Sequence, residues 1–429
     1  MSNNLPEDLA GWLAYIERQH PQTIALGLDR VEKVRDAMAL APAVPVITIA
    51  GTNGKGSTCA MLEAILSAAG YRVGLYTSPH LLRYNERVRI AGREADDAEL
   101  VAAFARVEAA RSEQVRNTGL TYFEFGTLAA VDVFLRSAVD VLVLEVGMGG
   151  RLDAVNVFDA DCAIVTSIGL DHMDYLGGTR EAIGHEKAGV FRGGRPAVVA
   201  DPAPPQSVLA HARAIGARLL CIGCEFGYEA EGEHWLYWGP EGRKSGLPQP
   251  GLRGRTQLVN ASAALTALDA LREHLPVSMQ QLRRGLTGVE LRGRFQVLPG
   301  CPVVVLDVAH NPQAAAVLSD NLSGMGSCRE TWAVFGMLRD KDSAGVAKLL
   351  AQRIDHWMVC SLPPPRGATA TELAQTLRQI GAEAVREFEN PALAYAAACS
   401  EAADNDRIVV FGSFHTVADV LAVLEQSKA

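Results

Sequence analysis

The run Val46-Ile-Thr-Ile-Ala50 leads straight into Gly51-Thr-Asn-Gly-Lys55-Gly-Ser57-Thr58, and a helical stretch follows over 59–69. An apolar strand, a glycine turn carrying one lysine and several hydroxyls, and a helix together make a cradle for nucleotide phosphates. Glycines let backbone N–H groups converge on phosphate oxygens, the helix N-terminus adds a positive dipole, and Lys55 can reach the β and γ phosphates. The turn departs from the common GxxxxGK[ST] loop, because Ile49 stands where that pattern has glycine and Gly56 where it has Ser or Thr. A glycine turn without a ligand is the alternative reading, and the strand-turn-helix setting argues against it.

The rest of the chain has to supply a sheet for this strand. Runs at 46–50, 73–76, 139–146, 162–167 and 196–200 alternate with amphipathic segments, the pattern of a parallel sheet covered by helices on both faces. Around 225–250 the sequence turns rich in Gly, Trp and Tyr, which predicts a small β excursion, and a helix resumes over 257–274. After Leu291-Arg-Gly-Arg-Phe-Gln-Val-Leu-Pro-Gly300 a second alternating series begins, with strands expected at 303–308, 331–336, 356–361 and 407–412. A domain boundary is placed there, dividing 1–295 from 296–429. A length of 429 residues suits about two or three domains.

Composition narrows the partners. The 48% hydrophobic and 21% charged content is that of an ordinary globular protein, and a net charge of −9 argues against a nucleic-acid surface. The N-terminus lacks a basic segment followed by an apolar run, and no stretch of about 18 apolar residues occurs, so a cytoplasmic protein with no membrane partner is expected. Eight scattered cysteines fit reduced thiols. Cys221-Ile-Gly-Cys224 has metal-like spacing but no second cysteine or histidine pair, and reads as turn and core cysteines.

Chemistry gathers at strand ends. Glu145 ends the run 139–146 and precedes Gly147-Met-Gly-Gly150, which is no dinucleotide fingerprint because Leu152 stands where a third glycine is needed. Beside a phosphate loop, a strand-end carboxylate can hold a cation, although a solvated strand end is the competing reading. The strand 162–167 leads to Asp171-His172, and Lys187 lies 15 residues further in a helical segment. Alone, His172 and Lys187 read as a loop polar residue and a solvated helix lysine.

The heptapeptide GTNGKGS resembles the signature of the Mur ligase superfamily, ATP-dependent enzymes that join an amino acid to a carboxylate. Further segments resemble the dihydrofolate synthase / folylpolyglutamate synthase family within it: Trp12-Leu-Ala-Tyr-Ile-Glu, His20 to Val31, Tyr76-Thr-Ser78-Pro-His80-Leu, Arg83-Tyr-Asn-Glu-Arg87, Thr121-Tyr-Phe-Glu-Phe125, Gly293-Arg294-Phe-Gln, Asp307-Val-Ala-His310-Asn311-Pro, Phe335 to Asp342, and Gly412-Ser-Phe-His. The likeness runs over nearly the whole chain and is weakest in 202–251. It implies an α/β fold: an N-terminal P-loop ATPase-like domain with a parallel sheet and the β excursion, then a C-terminal Rossmann-like domain, the glutamate ligase domain.

The resemblance also implies site residues. ATP would be bound by Thr52, Asn53, Gly54, Lys55, Gly56, Ser57, Asn260, Arg294 and Asp307. Ser78, Glu145, His172 and Lys187 would surround magnesium, with Lys187 carbamylated by carbon dioxide. The pteridine end of the acceptor would meet Thr23, Ile24, Ala25, Leu26, Thr121, Phe123, Leu152, Asp153 and Ala154. Lys55, Lys187, His172, Arg294 and His310 would be the catalytic set. Local alternatives stay open for three of these: Asn260 as a helix cap, Asp307 as a turn former before Pro312, and Arg294 as a surface linker residue. The implied activity is addition of L-glutamate to dihydropteroate and to reduced folates through an acyl phosphate. ATP serves as co-substrate, magnesium occupies two sites, and potassium is an additional ion. A ligase that only lengthens folate tails is one alternative; an ATP-switch binding protein is another, which would not need Glu145, His172 and Lys187 together. Nothing in the chain calls for more than a monomer.

Overall fold

In the computed structural model, residues 5–20, 24–115 and 118–426 are described, Glu113 and Gln114 by backbone alone. The chain divides into two compact units, Met1–Gly251 with Leu258–Val289, and Leu252–Gln257 with Glu290–Ala429.

Among the described residues the first unit has an eight-stranded sheet built from β1 (Val46–Ala50), β2 (Val73–Tyr76), β3 (Val88–Ile90), β4 (Arg93–Glu94), β5 (Val141–Glu145), β6 (Cys162–Val165), β7 (Pro196–Val199) and β8 (Arg218–Cys221). Their order is β4-β3-β2-β5-β1-β6-β7-β8, parallel from β2 to β8 and antiparallel at the β3 and β4 edge. The central strands carry continuous apolar runs because both faces are covered: Ile47, Ile49, Leu142, Val143, Leu144 and Ile164 are all fully buried. β1 is the switch point, flanked by β5 and β6, so the carboxyl ends of these strands form the crevice where ligands collect in open α/β sheets. The expected β excursion is an antiparallel sheet of β9 (Gly227–Glu231), β10 (His234–Gly239) and β11 (Gly242–Pro248).

The second unit holds β12 (Gln296–Leu298), β13 (Val303–Leu306), β14 (Thr331–Phe335), β15 (His356–Cys360), β16 (Val385–Phe388) and β17 (Arg407–Phe411), ordered β12-β13-β17-β14-β15-β16. Only β12 among these described strands runs antiparallel.

Two departures from the sequence expectation bear on the site. The helix after β1 begins at Lys55 rather than at 59 and runs Lys55–Ala68, because Gly54, with φ of +91°, turns the chain directly into helical geometry. β6 stops at Val165, because Thr166 and Ser167 turn their side chains to the phosphate loop instead of extending the ladder.

The helix Lys55–Ala68 is held from outside the sheet by the helix Met279–Gly288. Their closest approach is at Gly285, where an added Cβ would lie 2.4 Å from Ile65 Cα and 2.6 Å from its nitrogen. Helix propensity alone favours alanine over glycine by about 1 kcal/mol. Here the obstacle is backbone, which cannot swing aside, and overpacking of this kind costs about 1–3 kcal/mol. Gly285→Ala is therefore expected to lower the denaturation midpoint in a urea titration; a raised midpoint would show that propensity, not the helix contact, decides.

Candidate active site

The phosphate loop is fixed by the residues after β6. The Thr52 N–H donates to Ser167 O at 2.7 Å and the Asn53 N–H to Ser167 Oγ at 3.1 Å. Thr166 Oγ1 donates to Asn53 O at 2.7 Å, and Thr52 Oγ1 accepts the Gly169 N–H at 3.0 Å. The two chains lie too close for a side chain at Gly51, where φ is +150° and a Cβ would sit 1.9 Å from Thr166 Oγ1. Lys55 curls back, its Nζ donating to Gly51 O at 3.0 Å and Thr52 O at 3.2 Å. Gly56 and Ser57 fall in the first helical turn, whose N–H groups have no intrahelical acceptor and so offer donors to an anion. Asn260 lies against the same loop, its Oδ1 2.5 Å from where a Gly54 Cβ would stand. It sits within the helix Thr256–Ala270 rather than at its start, which removes the capping explanation.

The neighbouring strand ends bring Ser78 and Glu145 together. Glu145 pairs in register with Ile49 of β1, and its Oε2 accepts the Ser78 N–H at 3.0 Å. Burial pushes the Cys59 thiol well up, and the Glu145 carboxylate adds to this, which sets Glu145 beside the phosphate-loop helix. His172 follows in a left-handed conformation, φ +51°, three residues beyond Gly169, and its N–H donates to Asp171 Oδ1 at 2.9 Å.

Lys187 is not the solvated helix lysine that its local sequence suggests: it is 4% exposed. Burial, and after it the charge of Lys55, bring its ammonium down to about 7, with Asp171 and Asp153 opposing. Much of the side chain is then a neutral amine near neutral pH, the form that adds carbon dioxide to give a carbamate and a proton. The Gly147–Gly150 run lets this helix end approach: a Gly150 Cβ would lie 2.9 Å from both the Glu186 and Lys187 carbonyl oxygens. Among the described residues no group of three or more His, Cys, Asp or Glu could hold a metal ion. The magnesium set implied by the family resemblance, Ser78, Glu145 and His172, has one of its carboxylates in Glu145, and an oxygen ligand on Lys187 would suit a hard cation.

The expected acceptor-binding residues are joined by one buried carboxylate. Glu124 caps its own helix by accepting the Thr121 N–H at 2.7 Å, and its other oxygen takes Arg30 Nη2 at 2.8 Å. The same Nη2 donates to Ala25 O at 2.8 Å, and the Gly27 N–H donates to Leu152 O at 3.3 Å. Ala25, with Ile24 and Leu26 beside it, Thr121 and Leu152 thus share one neighbourhood; Thr23 lies outside the described residues. The far end of the Phe123 ring packs on Gly147, where a Cβ would lie 2.6 Å from Cζ. Asp153 precedes the short helix Ala154–Val157 and accepts the Met148 and Val155 N–H groups at 2.9 and 3.0 Å. Burial nevertheless pushes its carboxyl up to about 7. Sequence reading missed the Arg30 and Glu124 pair; the Thr121-x-x-Glu124 capping box was visible, the partner 94 residues away was not.

In the second unit Arg294, Asp307 and His310 stand together. Asp307 follows β13 and accepts the Phe295 and Ala309 N–H groups, both at 2.8 Å. The turn-forming role is therefore real, yet the residue is half-buried: loss of water around its carboxyl pushes it up, with Arg294 opposing most and His310 less. Arg294 is more than a linker residue, since its guanidinium lies over the Phe414 ring at 4.9 Å, and the His310 ring is 6.2 Å from the same ring. Cys221 is half-buried and Cys224 exposed, and all eight cysteines are free thiols.

The description "Mur ligase middle domain" matches residues 49–268, and "Mur ligase, glutamate ligase domain" matches 293–414. The dihydrofolate synthase/folylpolyglutamate synthase of Escherichia coli (strain K12) is 45% identical over 423 residues, covering 98% of this chain and 96% of that protein. The solved structure of E. coli FolC in complex with DHPP and ADP has a TM-score of 0.93 at 44% identity and covers 99% of each chain. A bifunctional folylpolyglutamate synthase/dihydrofolate synthase crystallised with Mn, AMPPNP and L-glutamate has a TM-score of 0.91 at 46% identity, covering 99% of this chain and 100% of that one. With a phosphate loop, a strand-end carboxylate and a buried lysine in one crevice, and with this likeness along its whole length, the chain belongs to the Mur ligases and, among them, to the dihydrofolate synthase/folylpolyglutamate synthase family.

Proposed function

We propose that this protein is an ATP-dependent ligase that adds L-glutamate to dihydropteroate, giving dihydrofolate, and to the γ-carboxylate of reduced folates, lengthening their tails. The observation that carries this reading is the burial of Lys187 next to the charge of the phosphate-loop lysine, which a nucleotide switch has no use for. In the proposed reaction the acceptor carboxylate attacks the γ phosphorus of ATP, the bond from that phosphorus to the β–γ bridging oxygen breaks, and ADP leaves. The amine of glutamate then attacks the acyl carbon of the acyl phosphate; an amide forms, a proton is lost and phosphate departs.

Each group has a task set by its place. Thr52, Asn53, Gly54, Gly56 and Ser57 bind the phosphates through a loop already shaped for them, and Lys55 exchanges the Gly51 and Thr52 carbonyls for phosphate oxygens. Asn260 is proposed to contact the nucleotide from beside Gly54. From the second unit, Arg294 and Asp307 are proposed as ATP contacts and His310 as their neighbour. Ser78, Glu145, His172 and a carbamate on Lys187 would hold magnesium, which when bound offsets charge on the phosphates. A second magnesium and a potassium ion are part of the same proposal, as is a monomer acting in the cytoplasm. Ala25, Thr121, Phe123 and residues 152–154 are proposed to receive the pteridine end. No helix among the described residues is long and apolar enough to cross a membrane.

Product analysis of purified protein with ATP, glutamate and either dihydropteroate or tetrahydrofolate tests the reading directly; formation of neither amide would overturn it, and a product from tetrahydrofolate alone would restrict it to tail extension. Lys55→Ala is expected to lower amide formation on the order of 10³-fold, the scale on which phosphate-clamping cations act, while the melting temperature stays within a few degrees. Full turnover in that variant would remove the loop from catalysis.

Lys187→Ala is expected to lose on the order of 10²-fold in rate, the scale for loss of a metal-site group, and added formate or acetate is expected to restore part of it. Labelling wild-type protein with ¹³C-bicarbonate should give a carbamate carbon resonance that the variant lacks. A wild-type rate without added carboxylate would exclude the carbamate role.

A further inference from the structure

Arg87 is a half-buried cation that forms no ion pair with a carboxylate among the described residues. Arg30, Arg83, Arg89, Arg93 and Arg106, from the same unit, each face an acidic side chain. Arg87 uses its Nε to donate to His80 Nδ1 at 2.8 Å, and its two Nη groups have no acceptor among the described residues. The guanidinium rests in the angle formed by two edge-to-face rings, 5.4 Å from the centre of Tyr84 and 5.5 Å from that of Tyr122. Aromatic faces steady a guanidinium without using its donors, so the Nη edge is kept ready for a ligand.

The mount is stiff. Glu86 accepts the N–H groups of Leu81, Leu82 and Arg83 at 2.7, 2.7 and 2.8 Å, and the Thr77 N–H donates to Arg87 O at 2.9 Å, closing the loop between β2 and β3. That last bond sets Arg87 opposite the residue before Ser78. On its other side Arg87 leans on Tyr122, which stands between Thr121 and Phe123. The backbone of Arg87 thus borders the strand end that leads to Ser78, while its guanidinium rests on the ring between two residues proposed for the pteridine end. An anion carried by the acceptor between these two ends would meet it, and a guanidinium edge matches a carboxylate bidentately.

We propose that Arg87 binds the α-carboxylate of the acceptor's glutamate tail and so serves tail extension rather than first-glutamate addition. This assignment rests on the functional reading above. Dihydropteroate has one carboxylate, which is consumed in the reaction. A folate acceptor has two, and the α-carboxylate must be held while the γ-carboxylate attacks phosphorus, since either could act as the nucleophile. Pairing with Arg87 fixes which oxygen is presented.

The test compares KM values for tetrahydrofolate and for dihydropteroate in wild type, Arg87→Gln and Arg87→Lys. Loss of a charge-assisted bidentate pair should raise the ratio of the two KM values by about 10-fold or more in Arg87→Gln, and Arg87→Lys should recover part of it. A tetrahydrofolate analogue carrying a 4-aminobutyrate tail keeps the reacting carboxylate and lacks the α one; for it the ratio to dihydropteroate should be the same in wild type and Arg87→Gln. A purely structural role would change all three acceptors alike, and an unchanged ratio would overturn the assignment. If wild type makes both amides and the ratio does not move, the subsite alone falls; if wild type makes neither, the functional reading falls with it.

Discussion

The carboxyl ends of β1 and β6 are locked together with no room for a side chain between them, and the arrangement of the crevice follows from that lock. Gly51 passes so close to Thr166 that only a hydrogen fits, and hydroxyls of Thr166 and Ser167 hold the Asn53 carbonyl. A loop of this kind is ordinarily mobile until phosphate arrives. Here the neighbouring strand's hydroxyls take up the bonds that would otherwise be satisfied by water, so the N–H groups of the first helical turn are already aimed outward. The helix Met279–Gly288, seated on Ile65 through Gly285, fixes the helix from behind.

Rigidity has an electrostatic consequence. Lys55 has its Nζ on the loop's own carbonyls, and Lys187 is buried where that charge is felt. Two ammonium groups in one poorly hydrated site repel, and burial adds to the burden on the second. Protons leave Lys187 most readily, and its coupling with Asp153, a carboxyl that burial pushes up to about 7, gives the crevice two groups poised between charged and neutral forms. The proposed carbamate on Lys187 would replace a would-be cation by an anion, which would relieve the repulsion from Lys55 and add an oxygen donor to the proposed Ser78, Glu145 and His172 set.

Sequence made the frame of both sheets legible where strands are buried on both faces. β1 and β2 fall on their expected residues, and β5, β6, β7, β13, β14, β15 and β17 fall within a residue or two, because an uninterrupted apolar run leaves few alternatives. The strands β3, β4, β8, β12 and β16, at or next to sheet edges, were not anticipated: Val385-Arg-Glu-Phe388, for example, sets two adjacent charges between apolar ends and shows neither alternation nor an apolar run. At the site, Glu145 and Lys55 could be placed because they sit at ends of such runs. The burial of Lys187 could not, since a helix segment reading Gly-His-Glu-Lys looks solvated until the glycine run 147–150 is seen to pack against its end. Asn260 likewise looked like a cap, and only the tertiary approach of its helix to Gly54 shows otherwise.

The proposed acceptor end is built from different material. Ala25, Thr121 and Leu152 come from three distant stretches and are tied through Glu124, which caps one helix while binding Arg30. Residues 24–30 also precede the matched Mur ligase middle domain, which begins at 49. A phosphate-handling frame and an acceptor-recognising annex therefore meet at few covalent points, chiefly the β2–β3 loop and the glycine run after β5. Changes in the proposed annex would alter which acid is presented without touching the bonds described above for Thr52, Asn53 and Lys55, which run to Thr166, Ser167, Gly169 and the loop's own carbonyls. On the proposed reading, that separation would let one phosphoryl-transfer site serve a benzoate and a glutamyl carboxylate: the reacting oxygen would arrive at the same crevice, and the annex would settle how the remainder of each acid is held.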